Sequence, residues 1–205
     1  MIEERRVKPR EDLISALVAV QRDGEHLSYP ELLQMLTVLL VAGNATTTAL
    51  ISNMVVELLA HPDELARLRN DPSLIPTAVD EVLRFASPVQ AMPRLAARPT
   101  ELHGRRVEAG QFVLVWIGSA NRDPAVFERP DEFDVGRTHN PHLAFGIGPH
   151  SCIGSLLATL EGCVVLRAML ERTRSFEFTN DEPLPLHSSF VARSYARLPM
   201  RLVPA

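Results

Sequence analysis

Phe145-Gly146-Ile147-Gly148-Pro149-His150-Ser151-Cys152-Ile153-Gly154 holds the densest chemistry in this chain of 205 residues. A cysteine stands among glycines, and the apolar-rich run behind it predicts a helix over 153–172. A thiol at a helix entrance meets unpaired N–H groups and partial positive charge, which favour the thiolate, the form that binds metal. Gly146, Gly148 and Gly154 remove side chains, so the backbone can lie against a broad flat ligand or take positive φ without steric cost. A phosphate-binding loop is excluded, because the stretch has neither the further glycine of a dinucleotide fingerprint nor a Gly-Lys-Ser/Thr ending.

Upstream of this loop, residues 121–149 carry Pro124, Pro130, Pro141 and Pro149 with little periodicity, which predicts an extended segment held by side-chain contacts. Before it, Arg94-Leu95-Ala96, Glu101-Leu102-His103 and Phe112 to Trp116 read as the strands of a small sheet. Helices dominate the first half. Apolar spacing predicts one over 12–21 that stops at the Asp23-Gly24 turn. Ser28-Tyr29-Pro30-Glu31 fits a capping box opening a long helix over 28–60, stopped by Pro62. Two shorter helices follow over 63–69 and 77–86, separated by breaks at Asp71-Pro72 and Ile75-Pro76 and closed by Ser87-Pro88. After 172 the chain returns to short strands. The fold class is mainly α with small β-sheets (α+β), without internal repeat or low-complexity linker.

Apolar residues make up 46% and charged residues 22%, a balance that buries a core and excludes wholesale disorder. A net charge of −4 argues against capture of nucleic acid or of an anionic membrane. The charged start Glu3-Glu4-Arg5-Arg6 shows no signal peptide. The stretch from Leu32 to Ala60 is broken by polar residues from Gln34 to Glu57 and reads as a buried helix of a soluble protein, not a membrane span. Cys152 and Cys163 form no disulfide framework, which fits a reducing, cytoplasmic setting.

A thiolate facing a planar group suggests haem iron. Zinc is the competing metal, with His139, His142, His150 and Cys152 as ligands, yet it leaves Phe145 and the glycines unexplained. An inert buried thiol is the bland reading of Cys152 and the main reading of Cys163. The loop resembles the haem-ligand signature of the cytochrome P-450 family, Phe-x-x-Gly-x-His-x-Cys-x-Gly, at Phe145, Gly148, His150, Cys152 and Gly154.

That resemblance implies haem b (iron protoporphyrin IX) with Cys152 as axial ligand, in the loop 145–154. Glu81 and Arg84 resemble the family's Glu-x-x-Arg pair, and Arg137 matches the arginine that completes a structural triad; taken alone, Glu81 and Arg84 would be an exposed helix pair. Arg94 and His150 match haem-propionate contacts. On the long helix, Ala42, Gly43, Asn44, Thr46 and Thr47 resemble the oxygen-binding groove, where Thr46 would orient water and help deliver protons. Threonines there can also bond back to the preceding turn and bend or widen the helix. Ala45 replaces the acidic residue usual before that threonine, so Asn44, Thr47, water or substrate would substitute. Val41, Ala45, Val89, Met92 and Phe190 are the implied substrate-pocket residues.

The resemblance spans 1–205 but only the C-terminal half of the family's domain. It implies a haem-thiolate monooxygenase of soluble bacterial type, inserting one oxygen atom from dioxygen into a small apolar organic substrate, with a ferredoxin and its reductase as separate electron donor. The absent N-terminal half is then a further partner. The alternatives are a truncated haem-binding remnant without stand-alone catalysis, and the zinc module.

Overall fold

The computed structural model describes residues 1–22 and 27–205; the expected Asp23-Gly24 turn lies outside them. The chain divides into two compact units, Met1–Ala45 and Thr46–Ala205.

In the first unit, α1 (Ile2–Val7) and α2 (Leu13–Arg22) are joined by polar contacts at the start of α2. Asp12 accepts from Ser15 N–H at 2.8 Å, capping α2, and holds Arg5 Nε at 2.6 Å. That guanidinium beside it keeps the Asp12 carboxyl down at about 2. The long helix α3 (Tyr29–Ala60) runs through both units. At its start the Glu31 carboxylate reaches back to Ser28 N–H at 2.7 Å, as a capping box requires. The Ser28 hydroxyl donates to the same carboxylate at 2.6 Å instead of accepting from the first turn.

The expected burial of α3 holds at Leu32 near its start and over its later turns, but not in between. Leu50, Met54 and Leu58 lie in the core, whereas Leu40 and Val41 are exposed. Between Leu32 and Ala60 the only charge is Glu57, so by length and composition alone α3 is long and apolar enough to cross a membrane, a test that the core helix of a soluble protein also passes. It is α-helical throughout, so its threonines do not widen it.

In the second unit, α4 (Pro62–Asn70) and α5 (Ile75–Phe85) pack with α3 and α7 (Ser155–Arg172) around Leu50, Met54, Leu68, Val79, Val82 and Leu166. Proline explains the helix starts. Pro62 opens α4 after α3 has ended at Ala60, and Pro76 lies in the first turn of α5, where its missing N–H has no intrahelical partner to lose. The expected break at Ile75-Pro76 is therefore a beginning. Gly162 lets α7 approach α5 closely: a Cβ there would lie 3.0 Å from a Val79 methyl.

The expected single small sheet is two separate ladders. β1 (Ala91–Leu95) pairs antiparallel with β4 (Phe112–Trp116), and β2 (Thr100–Leu102) pairs with β3 (Arg105–Val107). His103 and Gly104, both at positive φ, turn β2 straight back on β3, so this hairpin satisfies itself and leaves β1 for β4. A short α6 (Ile117–Ala120) follows, and the C-terminal ladder pairs β5 (Thr173–Phe178) with β6 (Met200–Pro204).

Candidate functional site

Glu81 and Arg84 share one face of α5, and both are fully buried. Arg84 grips the Glu81 carboxylate with two nitrogens at 2.8 Å each, the bidentate geometry of a planar fork. Arg137 Nε adds contacts of 3.2 and 3.1 Å to the same carboxylate oxygens. The reading of Glu81 and Arg84 as an exposed pair is overturned; the triad expected from the resemblance is assembled.

The remaining guanidinium N–H groups find main-chain carbonyls. Arg84 donates to Asn121, Pro130 and Glu132 at 2.9, 2.7 and 3.0 Å. Arg137 donates to Glu128, Arg129 and Glu132 at 2.7, 3.2 and 3.1 Å. Two cations and one anion leave a buried surplus of positive charge, and these carbonyl dipoles offset it. Here lies the side-chain hold that the proline-rich segment required. Glu81 also accepts from Asp134 N–H at 2.9 Å. Burial would raise the Asp134 carboxyl, but the Gly136 N–H and Arg67 outweigh it and leave the net shift downward.

The cysteine loop is closed by its own backbone. Cys152 N–H donates to the Phe145 carbonyl at 2.7 Å, and Gly146 N–H to Leu143 at 2.9 Å. Gly146 and Gly148 adopt φ of +70° and +64°, as their lack of a side chain allows. At Gly146 a Cβ would also lie 2.8 Å from the His150 carbonyl oxygen. Gly154 has φ of −92° and needs no such freedom. The helix begins at Ser155, later than expected, because Gly154 serves as its N-cap; Cys152 therefore stands in the loop ahead of α7. Phe145 packs on the core while Cys152 is exposed.

Around that thiol, Ile147 is 75% exposed, Ile153 78% and Leu156 86%. An exposed thiol rimmed by large apolar side chains fits a broad apolar group with a thiol-binding metal at its centre, which is the donor chemistry of haem. Zinc does not fit: among the described residues no three His, Cys, Asp or Glu side chains come together as a metal site. His142 instead turns its Nε2 to Asp80 at 3.8 Å, and its ring packs on Phe145. Burial pushes the Cys163 thiol up, with Asp80 adding to it, as befits an inert thiol.

Arg94 and His150 are both exposed, and Arg94 donates to the Pro93 carbonyl at 3.0 Å. Val41, Ala42, Gly43, Asn44, Ala45 and Thr46 are exposed along α3, with Thr47 half-buried. The segments bearing Val89 and Phe190 are brought together: Val89 bridges Ala192, and Gln90 N–H donates to Val191 at 2.8 Å. Met92 lies on β1 and is exposed, as is Phe190.

Asn121 was missed as a site residue. Fully buried, it donates to Ser87 Oγ at 2.8 Å, accepts from Leu143 N–H at 2.7 Å, and offers its carbonyl to Arg84. It thus ties the triad to the residues leading into the cysteine loop. A lone asparagine carries no spacing signal that would have found it.

Comparison with known proteins shows what the chain is similar to. The 6-deoxyerythronolide B hydroxylase of Saccharopolyspora erythraea is 42% identical over 204 residues, which cover 98% of this chain and 50% of that protein. The structure of cytochrome P450 CYP109Q5 from Chondromyces apiculatus superposes with a TM-score of 0.93 at 45% identity, covering 100% of this chain and 53% of that one. CYP109E1 from Bacillus megaterium, solved in complex with testosterone, gives 0.92 at 36% identity, with 98% and 56% covered. The chain thus spans about half the length of the relatives it matches. The family model for cytochrome P450 matches residues 2–195, and the chain belongs to the cytochrome P450 family.

Proposed function

We propose that these 205 residues form the haem-thiolate part of a monooxygenase, which inserts one oxygen atom from dioxygen into an apolar small molecule. The observation that carries this reading is Cys152, exposed on a backbone-closed loop whose apolar rim faces outward. Haem b, when bound, supplies an iron that activates dioxygen with electrons delivered from outside.

The chain's own residues divide the remaining tasks. Cys152 would hold the iron, with Phe145 fixing the loop on the core and Ile147, Ile153 and Leu156 meeting the porphyrin. Arg94 and His150 would donate to its propionates. On the distal helix over 28–60, Ala42 and Gly43 would leave room, while Thr46, with Asn44 and Thr47, would order water and hand on protons. Val41, Ala45, Val89, Met92 and Phe190 would line an apolar pocket, in keeping with a relative named as a hydroxylase and a neighbour solved with a steroid. Electrons would come from a ferredoxin and reductase, in the cytoplasm.

A second reading, haem binding without stand-alone turnover, is favoured by the half-length coverage and by how openly Leu156 is exposed. The carbon-monoxide difference spectrum of the haem-loaded chain tests both. The unsubstituted chain and Cys163→Ala should give the strongly red-shifted band of thiolate ligation, and Cys152→Ala should lose it. Equal spectra from the two variants overturn the assignment. A normal spectrum without turnover, electron donor supplied, selects the second reading.

A further inference from the structure

Two buried polar side chains on α3, Asn53 and Glu57, take no part in the reaction proposed above. Four residues apart, they share one helix face, and both reach Arg193. Asn53 Nδ2 donates to the Arg193 carbonyl at 3.2 Å and to the Ala86 carbonyl at 2.8 Å. Glu57, 5% exposed, accepts from Arg193 Nη2 at 2.9 Å. Arg193 is thus held by main chain and side chain from a single helix. Its own N–H donates to the Pro88 carbonyl at 2.9 Å, and the Val191 carbonyl accepts from Gln90 N–H at 2.8 Å. Immediately ahead of that seam, the turn at Ser189 carries Phe190, 70% exposed.

A side chain so exposed has no packing of its own to set its direction, so the direction comes from the backbone that carries it. We infer that Asn53, Glu57 and Arg193 are positioning residues: they clamp the turn bearing Phe190 and the neighbouring Val89 segment, and so set the size of ligand that the distal pocket admits. Glu57 lies about three helical turns beyond Thr46, remote from the proton-handling residues. The clamp stands on the contacts alone; that the turn faces a ligand rests on the proposed function.

Hydrogen–deuterium exchange of the 205-residue chain, without haem, tests the clamp. Glu57→Gln, nearly isosteric, and Arg193→Gln should each speed exchange of the Gln90 and Arg193 amides by about tenfold or more, as expected when a buried carboxylate loses its half-buried partner. Peptides covering α5 and α7 should be unchanged, and Arg193→Lys should restore part of the protection. Unchanged exchange at Gln90 and Arg193 overturns the clamp. A rise across the whole chain also overturns it, because the pair would then serve general stability.

Soret titrations of the haem-loaded variants with imidazole and 4-phenylimidazole test the selectivity. The ratio of the two affinities should change by about fivefold or more while that for imidazole stays constant. An unchanged ratio overturns the selectivity claim. No Soret response from the unsubstituted chain overturns the proposed function and the selectivity with it, while the exchange result still decides the clamp.

Discussion

Arg84 shows why a charge can be buried without loss. Each of its terminal nitrogens has a carboxylate or carbonyl partner, and Glu81 is shared with Arg137. Arg84→Lys keeps the charge but loses the fork, so it should cost about 3–5 kcal/mol in a urea melt, the range for a broken buried pair. A melt within about 1 kcal/mol of the parent would show that the fork is dispensable. Gly146→Ala should cost about 1–2 kcal/mol from its φ alone and weaken haem retention, because the added methyl meets the His150 carbonyl. Thr46→Ala should raise peroxide release per electron consumed in a turnover assay; unchanged coupling removes Thr46 from proton delivery. The cysteine loop was legible in the residues, since a glycine-flanked cysteine is unusual by itself; i, i+3 spacing placed Glu81 and Arg84 on one face, but their triad with Arg137 came only from the resemblance. Asn121 was not, because its three partners come from distant parts of the chain.

Among the elements, the α1–α2 junction responds to acid. The Asp12 carboxyl is held at about 2, against a usual 3.8, mainly by its hydrogen bond from Arg5. A depressed carboxylate stabilises the fold above its unfolded value, and that contribution disappears as pH falls through the folded one. The junction should stay intact down to about pH 4 and loosen between there and pH 2. Amide chemical shifts of Ser15 and Arg5 would follow this, and Asp12→Asn should remove the step. Helices α2 to α5 and α7 were legible from periodicity to within a few residues, because proline and capping side chains act locally, whereas α1 and the short α6 were not expected. Pro76 misled because the same residue that breaks a helix interior suits its first turn. β3, Arg105-Arg106-Val107, has no apolar alternation and is a strand only because the His103-Gly104 turn folds it onto β2.

For the molecule as a whole, the chain has about half the length of its relatives and leaves large apolar side chains exposed on α3 and α7, Val41 and Leu160 among them. Local periodicity predicted these helices but not their exposure, which depends on what packs against them. Titrating haem into the chain should reduce fluorescence of a hydrophobic dye by covering Ile147, Ile153 and Leu156, and Cys152→Ala should blunt the effect. Equal quenching in both proteins would separate dye displacement from the cysteine. The way Arg84 and Arg137 hold residues 121–137 has a further consequence, for mutational history. Their grip is on carbonyl oxygens, which every amino acid possesses. Codons for Glu128 and Glu132 are thus free to drift as long as the chain's path survives, whereas Arg129, at φ of +47°, is restricted by its own backbone and the two arginines that read that path by their side chains.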